Sequence, residues 1–414
     1  MQKLNLEENS IDKILLLYSG GLDTSCMIKW LQERYKAEIY TFTADLGQSL
    51  NNQDHFKKVE EKAYELGVVK HYLLDLKEKF VNDYVFKVIK ANGLYQGIYP
   101  LTTAIGRPLI AIEAVKIAKK ENINVIAHGC TGKGNDQIRF NITIEAMAPD
   151  IQIIQPLIEW NMGRDDELIY AEKHGIPIPN ENKKYSIDTN LFGRSIECDV
   201  LEYPEIEPPR DAFTWTSPLE KCPDVPQKLV INFEKGLPVG IDNVKMKGVE
   251  LIEKLNEIGS KHGVGRLDHV EDRCIGLKSR EIYEAPAALI LILAHLDLEK
   301  YVCTKHENSF KSLVDQRWIE LVYDGLWVDP LRDALEAFIN EVNKKVTGSV
   351  FLKLFKGKIS IIGRESSNGI YDLNLSTYDT NSNFDQRLSR GFIQLWGLQS
   401  RMGYTIKKKL EKES

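Results

Sequence analysis

The segment Ser19-Gly20-Gly21-Leu22-Asp23-Thr24-Ser25 combines the residue types that handle oligophosphate. Adjacent glycines let the backbone turn tightly and approach an anion with no side chain in the way. A helix starting here adds its free first-turn N–H groups and the positive end of its dipole, and Thr24 and Ser25 add hydroxyl donors. The dipole contributes only about 0.3–2 kcal/mol, so such a cradle works by accumulating donors. A Walker A loop, G-x-x-x-x-G-K followed by Ser or Thr, needs a lysine that is absent here, and the G-x-G-x-x-G spacing of dinucleotide folds is absent too. Phosphate charge must therefore be offset by cations from elsewhere. Mg²⁺ is the natural choice, since it prefers phosphate oxygens plus a carboxylate or two. Asp23 is then either a helix cap or a group close to that metal.

A second segment, His128-Gly129-Cys130-Thr131-Gly132-Lys133-Gly134-Asn135-Asp136-Gln137-Ile138-Arg139, sets three glycines among Thr131, Lys133, Asn135, Asp136 and Arg139. Bare backbone with both signs of charge suits a zwitterionic ligand beside a nucleotide. Its likeness to a Walker loop is superficial, because the glycines are too close and Gly134 follows Lys133.

Positioning these segments falls to the elements before and after them. Lys13–Tyr18 reads as a buried strand running into the first segment, and 23–35 carries apolar residues at helical spacing. Glu38–Thr43 is strand-like, Asn52–Leu66 helical with Gly67 as its C-terminal cap, and Val68–Leu74 a strand. Leu109–Lys120 reads as a helix and Asn124–His128 as a strand. This alternation predicts an α/β fold, with an N-terminal parallel-sheet nucleotide-binding domain over residues 1–175. Ligands of such sheets gather beyond the carboxyl ends of the strands, where both segments fall. After Gly175-Ile176-Pro177-Ile178-Pro179 the pattern changes. Hairpins are predicted around Lys235-Gly236 and Lys356-Gly357, with helical stretches between them, so 176–388 reads as a separate α+β domain. Residues 389–414 read as a C-terminal helix whose apolar positions, Phe392, Ile393, Leu395, Trp396 and Leu398, need a surface to lie against, on this chain or another subunit.

The composition bounds the function. The 414 residues carry 54 Lys and Arg against 60 Asp and Glu, a net charge of −6, which argues against a dedicated nucleic-acid binder. The most apolar run, Ala285–Ala294, is too short to span a membrane and contains Pro286. Six scattered cysteines with no C-x-x-C pair point to reduced thiols and a cytoplasmic protein.

The first segment resembles the pyrophosphate loop of the N-type ATP pyrophosphatases, which split ATP between its α- and β-phosphates. The second resembles the signature of the argininosuccinate synthases, and the likeness continues through Tyr99–Pro108, Tyr185–Ser195, Lys261–Arg266, Val270–Arg280 and Ile282–Pro286. The resemblance implies ATP-dependent condensation of citrulline with aspartate in arginine biosynthesis, releasing AMP and pyrophosphate through a citrullyl-adenylate. ATP is then a co-substrate with Mg²⁺, and the assembly a homotetramer.

By the same resemblance, Leu17, Tyr18, Ser19, Gly20, Gly21, Leu22, Asp23, Thr24 and Ser25 contact ATP, with Ala44 bordering adenine and Gly129 admitting the nucleotide. Tyr99, Ala104, Asn135, Arg139, Ser186, Ser195, Glu271 and Tyr283 form the citrulline pocket, Arg139 clasping the carboxylate and Glu271 the ammonium. Thr131, Asn135 and Asp136 hold aspartate. Asp23 and Asp136 are the candidate catalytic carboxylates. The acceptor of the aspartate amine proton stays open between His128, Asp136 and a phosphate oxygen. Two departures stand out: Ala104 replaces a common Ser, with Thr103 as a substitute hydroxyl, and Cys198-Asp199 replaces a small, glycine-rich pair. The rival readings are adenylation of another acceptor, such as a tRNA base, and a nucleotide-binding regulator without chemistry.

Overall fold

In the computed structural model, residues 11–48, 54–160, 162–177, 184–380 and 382–413 are described. The strand β1 (Lys13–Leu17) has Ile14, Leu15, Leu16 and Leu17 all buried, as a central strand covered on both faces must. It pairs in parallel with β2 (Glu38–Asp45), which pairs with β3 (Lys70–Asp75); on its other side lie β4 (Val125–Ala127) and β5 (Gln152–Ile154). The order β3-β2-β1-β4-β5 reverses direction at β1. The carboxyl ends of β1 and β4 therefore open side by side, the position where doubly wound sheets bind ligands. Helix α1 (Leu22–Tyr35) follows β1 and α2 (His55–Glu65) follows β2. Helices Gly106–Glu121 and Asp136–Met147 flank β4. The expected strands and helices are present with shifted ends. β4 stops at Ala127, so His128 already belongs to the loop.

The strands that follow are β6 (Ser186–Asn190), β7 (Gly193–Glu197), β8 (Gln227–Glu234), β9 (Leu237–Ile241), β10 (Val244–Lys245), β11 (Arg266–Asp272), β12 (Lys278–Glu284), β13 (Gly348–Phe355) and β14 (Lys358–Glu365). Both expected hairpins exist. Lys235-Gly236 and Lys356-Gly357 take positive φ at both positions, the twist that two-residue hairpin turns require. The hairpins are one sheet, because β8 pairs with β13 in the order β10-β9-β8-β13-β14. The apolar helix Pro286–Val302 packs on it. A second antiparallel sheet, β11-β12-β7-β6, was not foreseen. Its one face carries Ile196 and Ile282 into a small core with Tyr185, Leu201 and Ala212. Its other face is polar, and it forms one wall of the candidate site.

The chain divides into two compact units, one ending at Asn368 and one beginning at Gly369, where the sequence reading placed its boundaries at 175/176 and 388/389. In the first unit the parallel sheet is tied to the rest by backbone, with Leu191 N–H donating to the Leu46 carbonyl, and by Asn190 Nδ2 donating to the Thr102 carbonyl. In the second, the expected single C-terminal helix is two, Leu388–Trp396 and Leu398–Glu413, broken at Gly397. Glycine costs a helix interior about 1 kcal/mol, which makes it the natural breaking point. Among the described residues no helix is long and apolar enough to cross a membrane. All six thiols are free.

Candidate active site

The loop after β1 is built as a cradle. Gly20 has φ +78°, and a Cβ there would lie 2.6 Å from Val59 Cγ2 of α2, so only glycine fits. Gly21 caps α1 with no side chain bonded to its N-terminus, which leaves the first-turn N–H groups open to an anion. Ser19 Oγ accepts from Gly21 N–H and lies 3.1 Å from Thr24 Oγ1, while Ser25 Oγ donates to the Gly21 carbonyl at 2.6 Å. Tyr18 Oη reaches Ser25 Oγ. Lys62 of α2 donates to the Gly20 carbonyl at 3.3 Å, bringing the loop a nearby ammonium that its own sequence lacks. Ala44, at the end of β2, is buried beside the cradle's strand.

The loop after β4 meets this cradle. A Cβ on Gly129 would lie 2.8 Å from Met27 Cε and 3.5 Å from Thr24 Cγ2, so the two glycine-bearing bends share a wall. Beyond Gly129 the loop exposes Thr131, then enters the helix Asp136–Met147, whose N-terminus carries no side-chain cap. His128 serves the loop itself. Its Nδ1 accepts the Cys130 N–H and its Nε2 faces Asn141 Oδ1 at 2.7 Å, while burial pulls its pKa down. That locks a neutral ring in place. Burial also pushes the Cys130 thiol up, as befits an inert filler.

The polar face of the β11-β12-β7-β6 sheet closes the site. Tyr283 lies opposite Ser195, Glu271 opposite Ser279, and Ser186 opposite Glu197, and the two-residue period puts them all on one side. Glu271 is 4% exposed and accepts from Tyr283 Oη and Tyr323 Oη, each at 2.7 Å. Tyr283 stacks on Tyr99 at 4.3 Å. Tyr99 Oη accepts the Thr103 and Ala104 N–H groups and bonds Thr103 Oγ1 at 2.9 Å, so the substitute hydroxyl is tied to the pocket's own tyrosine. The helix Lys305–Tyr323 ends at this wall: Asn135 Nδ2 donates to Tyr323 Oη, and Arg139 Nε and Nη2 both donate to the Tyr323 carbonyl.

Two family models match, one described as "Arginosuccinate synthase N-terminal HUP domain" over residues 13–177 and one as "Arginosuccinate synthase C-terminal domain" over 185–403. The chain is 56% identical over 394 residues to the argininosuccinate synthase of Pyrococcus furiosus, covering 95% of each chain. It is 49% identical to that of Pyrobaculum aerophilum, covering 94% of this chain and 97% of the relative. The chain belongs to the argininosuccinate synthase family. It is an ATP-dependent ligase that condenses citrulline and aspartate. Within this synthase, the residues taken from the sequence converge as one site in the first compact unit: the cradle 17–25, Ala44, Gly129, and the pocket of Tyr99, Asn135, Arg139, Glu271 and Tyr283.

The electrostatics of the synthase bear on two expectations. Asp136 accepts from Arg107 Nη2 at 2.7 Å and from Arg139 Nη1 at 3.0 Å. Burial would raise its pKa, but the two guanidiniums outweigh it and bring the carboxyl to about 2. A carboxylate that acidic is a poor proton acceptor. Arg139, expected to clasp a carboxylate, is also engaged by the Tyr323 carbonyl and Asp136, which leaves one N–H on each terminal nitrogen. The replaced pair Cys198-Asp199 keeps a glycine-like backbone all the same, with φ +77° and +56°.

Sequence reasoning missed several groups. Arg107 bridges Asp136 to Asp188 of β6. Burial pushes Asp188 up while Arg107 opposes it. Arg273 Nη2 spans Glu197 at 2.9 Å and Glu281 at 2.7 Å, and its Nη1 reaches the Lys133 carbonyl. Burial and the adjacent Glu197 push Glu281 up to about 8, against Arg273. Of these, Arg107, Asp188 and Arg273 lie in segments that carry the family resemblance, without a role, and Glu197 and Glu281 lie outside them.

Proposed function

We propose that this synthase assembles its three substrates where the ends of β1 and β4 meet the polar face of the second sheet. The observation that carries this reading is the shared wall at Gly129 and Met27, joined to β6 through Arg107. The triphosphate lies on residues 17–25, with adenine along Ala44 and Gly129. Mg²⁺ travels with the phosphates. Asp23, in the first turn of α1, is the carboxylate beside them for it, in keeping with magnesium's preference for phosphate oxygens plus a carboxylate or two.

Citrulline places its ammonium at Glu271, between the Tyr283 and Tyr323 hydroxyls, and its carboxylate at the remaining Arg139 donors, Ser186 and Ser195. Its ureido group then points at the cradle. A ureido carbon is a weak electrophile because both nitrogens donate into it; adenylation turns its oxygen into a leaving group. The oxygen attacks the α-phosphorus, the P–O bond to pyrophosphate breaks, and the first-turn N–H groups hold the departing charge. Aspartate sits on Thr131 and the open N-terminus of the helix Asp136–Met147, with Asp136 and Asn135 orienting its amine. The amine attacks the activated carbon, AMP leaves, and its proton passes to a phosphate oxygen, since both His128 nitrogens are engaged and Asp136 is too acidic. Holding the reactants in line can lower the barrier by about 7–11 kcal/mol.

The test is pyrophosphate release by the purified protein with citrulline, aspartate, ATP and Mg²⁺, each omitted in turn, plus exchange of labelled pyrophosphate into ATP with citrulline alone. Exchange that needs citrulline but not aspartate is the expected result. Exchange that ignores citrulline would overturn the order of steps.

The second compact unit supports a further part of the proposal. Phe392, Ile393, Leu395, Trp396, Met402 and Tyr404 are all more than half exposed, an apolar stripe fit for another subunit of a homotetramer. Deleting 369–414 should lower the subunit number in light scattering; an unchanged assembly would remove this unit from the interface. The six free thiols support a cytoplasmic setting.

A further inference from the structure

Tyr323 belongs to neither sequence segment, yet it touches three groups of the substrate pocket. Its hydroxyl has one proton and it goes to Glu271 Oε1, at 2.7 Å. Its lone pair accepts from Asn135 Nδ2, at 2.8 Å. The amide cannot turn over, because Asn135 Oδ1 already accepts the Cys274 N–H at 2.9 Å. The polarity of the chain is thus fixed: Cys274 N–H to Asn135, Asn135 to Tyr323, Tyr323 to Glu271, with Tyr283 closing the other carboxylate oxygen. Burial and the Glu271 charge push the Tyr323 phenol up, which keeps it a donor.

The backbone of the same residue does a second job. Its carbonyl takes two hydrogen bonds from Arg139, at 3.1 and 2.9 Å. The turn that presents this carbonyl comes close to the Asp136–Met147 helix: Gly325 has φ +80°, and a Cβ there would lie 3.0 Å from Arg139 Cα. Behind the pocket, the Tyr323 ring stacks on Tyr95 at 3.5 Å. Tyr95 Oη in turn donates to the Asp272 carbonyl, next to Glu271. The ring is therefore held on its face, at its hydroxyl and at its peptide.

We propose that Tyr323 is a positioning residue for both amino-acid substrates: its hydroxyl joins the aspartate-side amide of Asn135 to the citrulline-side carboxylate of Glu271, and its carbonyl sets Arg139. The inference rests on the citrulline and aspartate assignments made above. It adds that the two pockets are aligned by one residue of the second half of the unit and not by the two loops alone.

The test is Tyr323→Phe in the full chain, which keeps the ring stack and the carbonyl and removes only the hydroxyl. Losing a hydrogen bond to a charged group should raise the citrulline KM about tenfold or more, with a smaller rise for aspartate. The ATP KM and the thermal unfolding midpoint should stay close to those of the parent. In a Glu271→Gln background the same substitution should add little, because coupled residues are not additive. An unchanged citrulline KM, or equal rises for all three substrates with a lowered unfolding midpoint, would overturn the inference. If Glu271→Gln alone leaves the citrulline KM untouched, the pocket assignment fails and this inference falls with it. If Glu271→Gln raises it and Tyr323→Phe does not, only the inference fails.

Discussion

Two clusters of charge lie in the first compact unit, and they are built to opposite ends. Around Asp136 the cations are arginines. Arg107 and Arg139 each give the carboxylate one hydrogen bond and keep further donors for other partners. Around Lys311 the cation is consumed internally. Its ammonium donates to both Asp315 oxygens, at 2.9 and 2.7 Å, and to the Lys90 carbonyl at 2.8 Å, which accounts for its three protons, and it pairs with Glu299 at 2.8 Å. Asn92 Nδ2 donates to both carboxylates, and its Oδ1 faces His295 Nδ1 at 2.7 Å. The planar fork of arginine leaves a cluster open to a ligand, whereas a saturated lysine closes one. The closed cluster anchors the helix Lys305–Tyr323, whose last residue reaches the pocket.

Lys311→Met gives the largest expected effect. It leaves Glu299 and Asp315 buried without a cation and should cost about 3–5 kcal/mol in denaturant unfolding, with KM values of the folded fraction near those of the parent. Changed KM values at full stability would erase the distinction between the clusters. Arg139→Lys comes next. One ammonium cannot serve the Tyr323 carbonyl, Asp136 and a substrate carboxylate together, so the citrulline KM should rise about tenfold, equivalent to ~1.4 kcal/mol, with little change for ATP. An equal rise for both substrates would count against the carboxylate contact.

The pH response sharpens the contrast further. Burial pushes Asp315 up to about 7 against the pull of Lys311, so the folded state takes up a proton that the unfolded chain does not. That contribution to stability falls as pH rises from the ordinary carboxylate range towards 7, and Asp315→Asn should flatten the fall. Asp136 behaves in the opposite sense. With its folded value near 2, it stabilises the fold above the ordinary carboxylate range, and this is lost as pH drops towards 2. Unfolding midpoints of Asp315→Asn and Asp136→Asn across pH should diverge in sign; parallel curves would show the clusters to be alike. Gly129→Ala should do least. Its Cβ meets the flexible end of Met27 at 2.8 Å, so a few-fold rise in the ATP KM, with citrulline unaffected, is the expected outcome in steady-state assays.

The phosphate cradle was legible because its signals are local: a buried apolar strand, two glycines, then helical spacing. The same holds for the two hairpins, each marked by a Lys-Gly turn. Their union into one sheet was not, since pairing of β8 with β13 links segments with no shared local signal. The sheet that walls the candidate site was hidden for another reason. Strands such as Ser186–Asn190 and Lys278–Glu284 are mostly polar, because only one face packs into core. Arg107 shows the limit at the level of one residue: its partners Asp136 and Asp188 are 29 and 81 positions away. Tyr323 reads from sequence as one more apolar residue of a helix, and only its neighbours across the fold give it a role.

The alternation along β12 has an evolutionary cost. Glu281 and Tyr283 point to the pocket while Ile282 between them fills the small core. Sliding the strand by a single residue would bury acid and phenol and present isoleucine to the substrate. The register of this one strand thus decides both what lines the candidate site and what fills the core behind it.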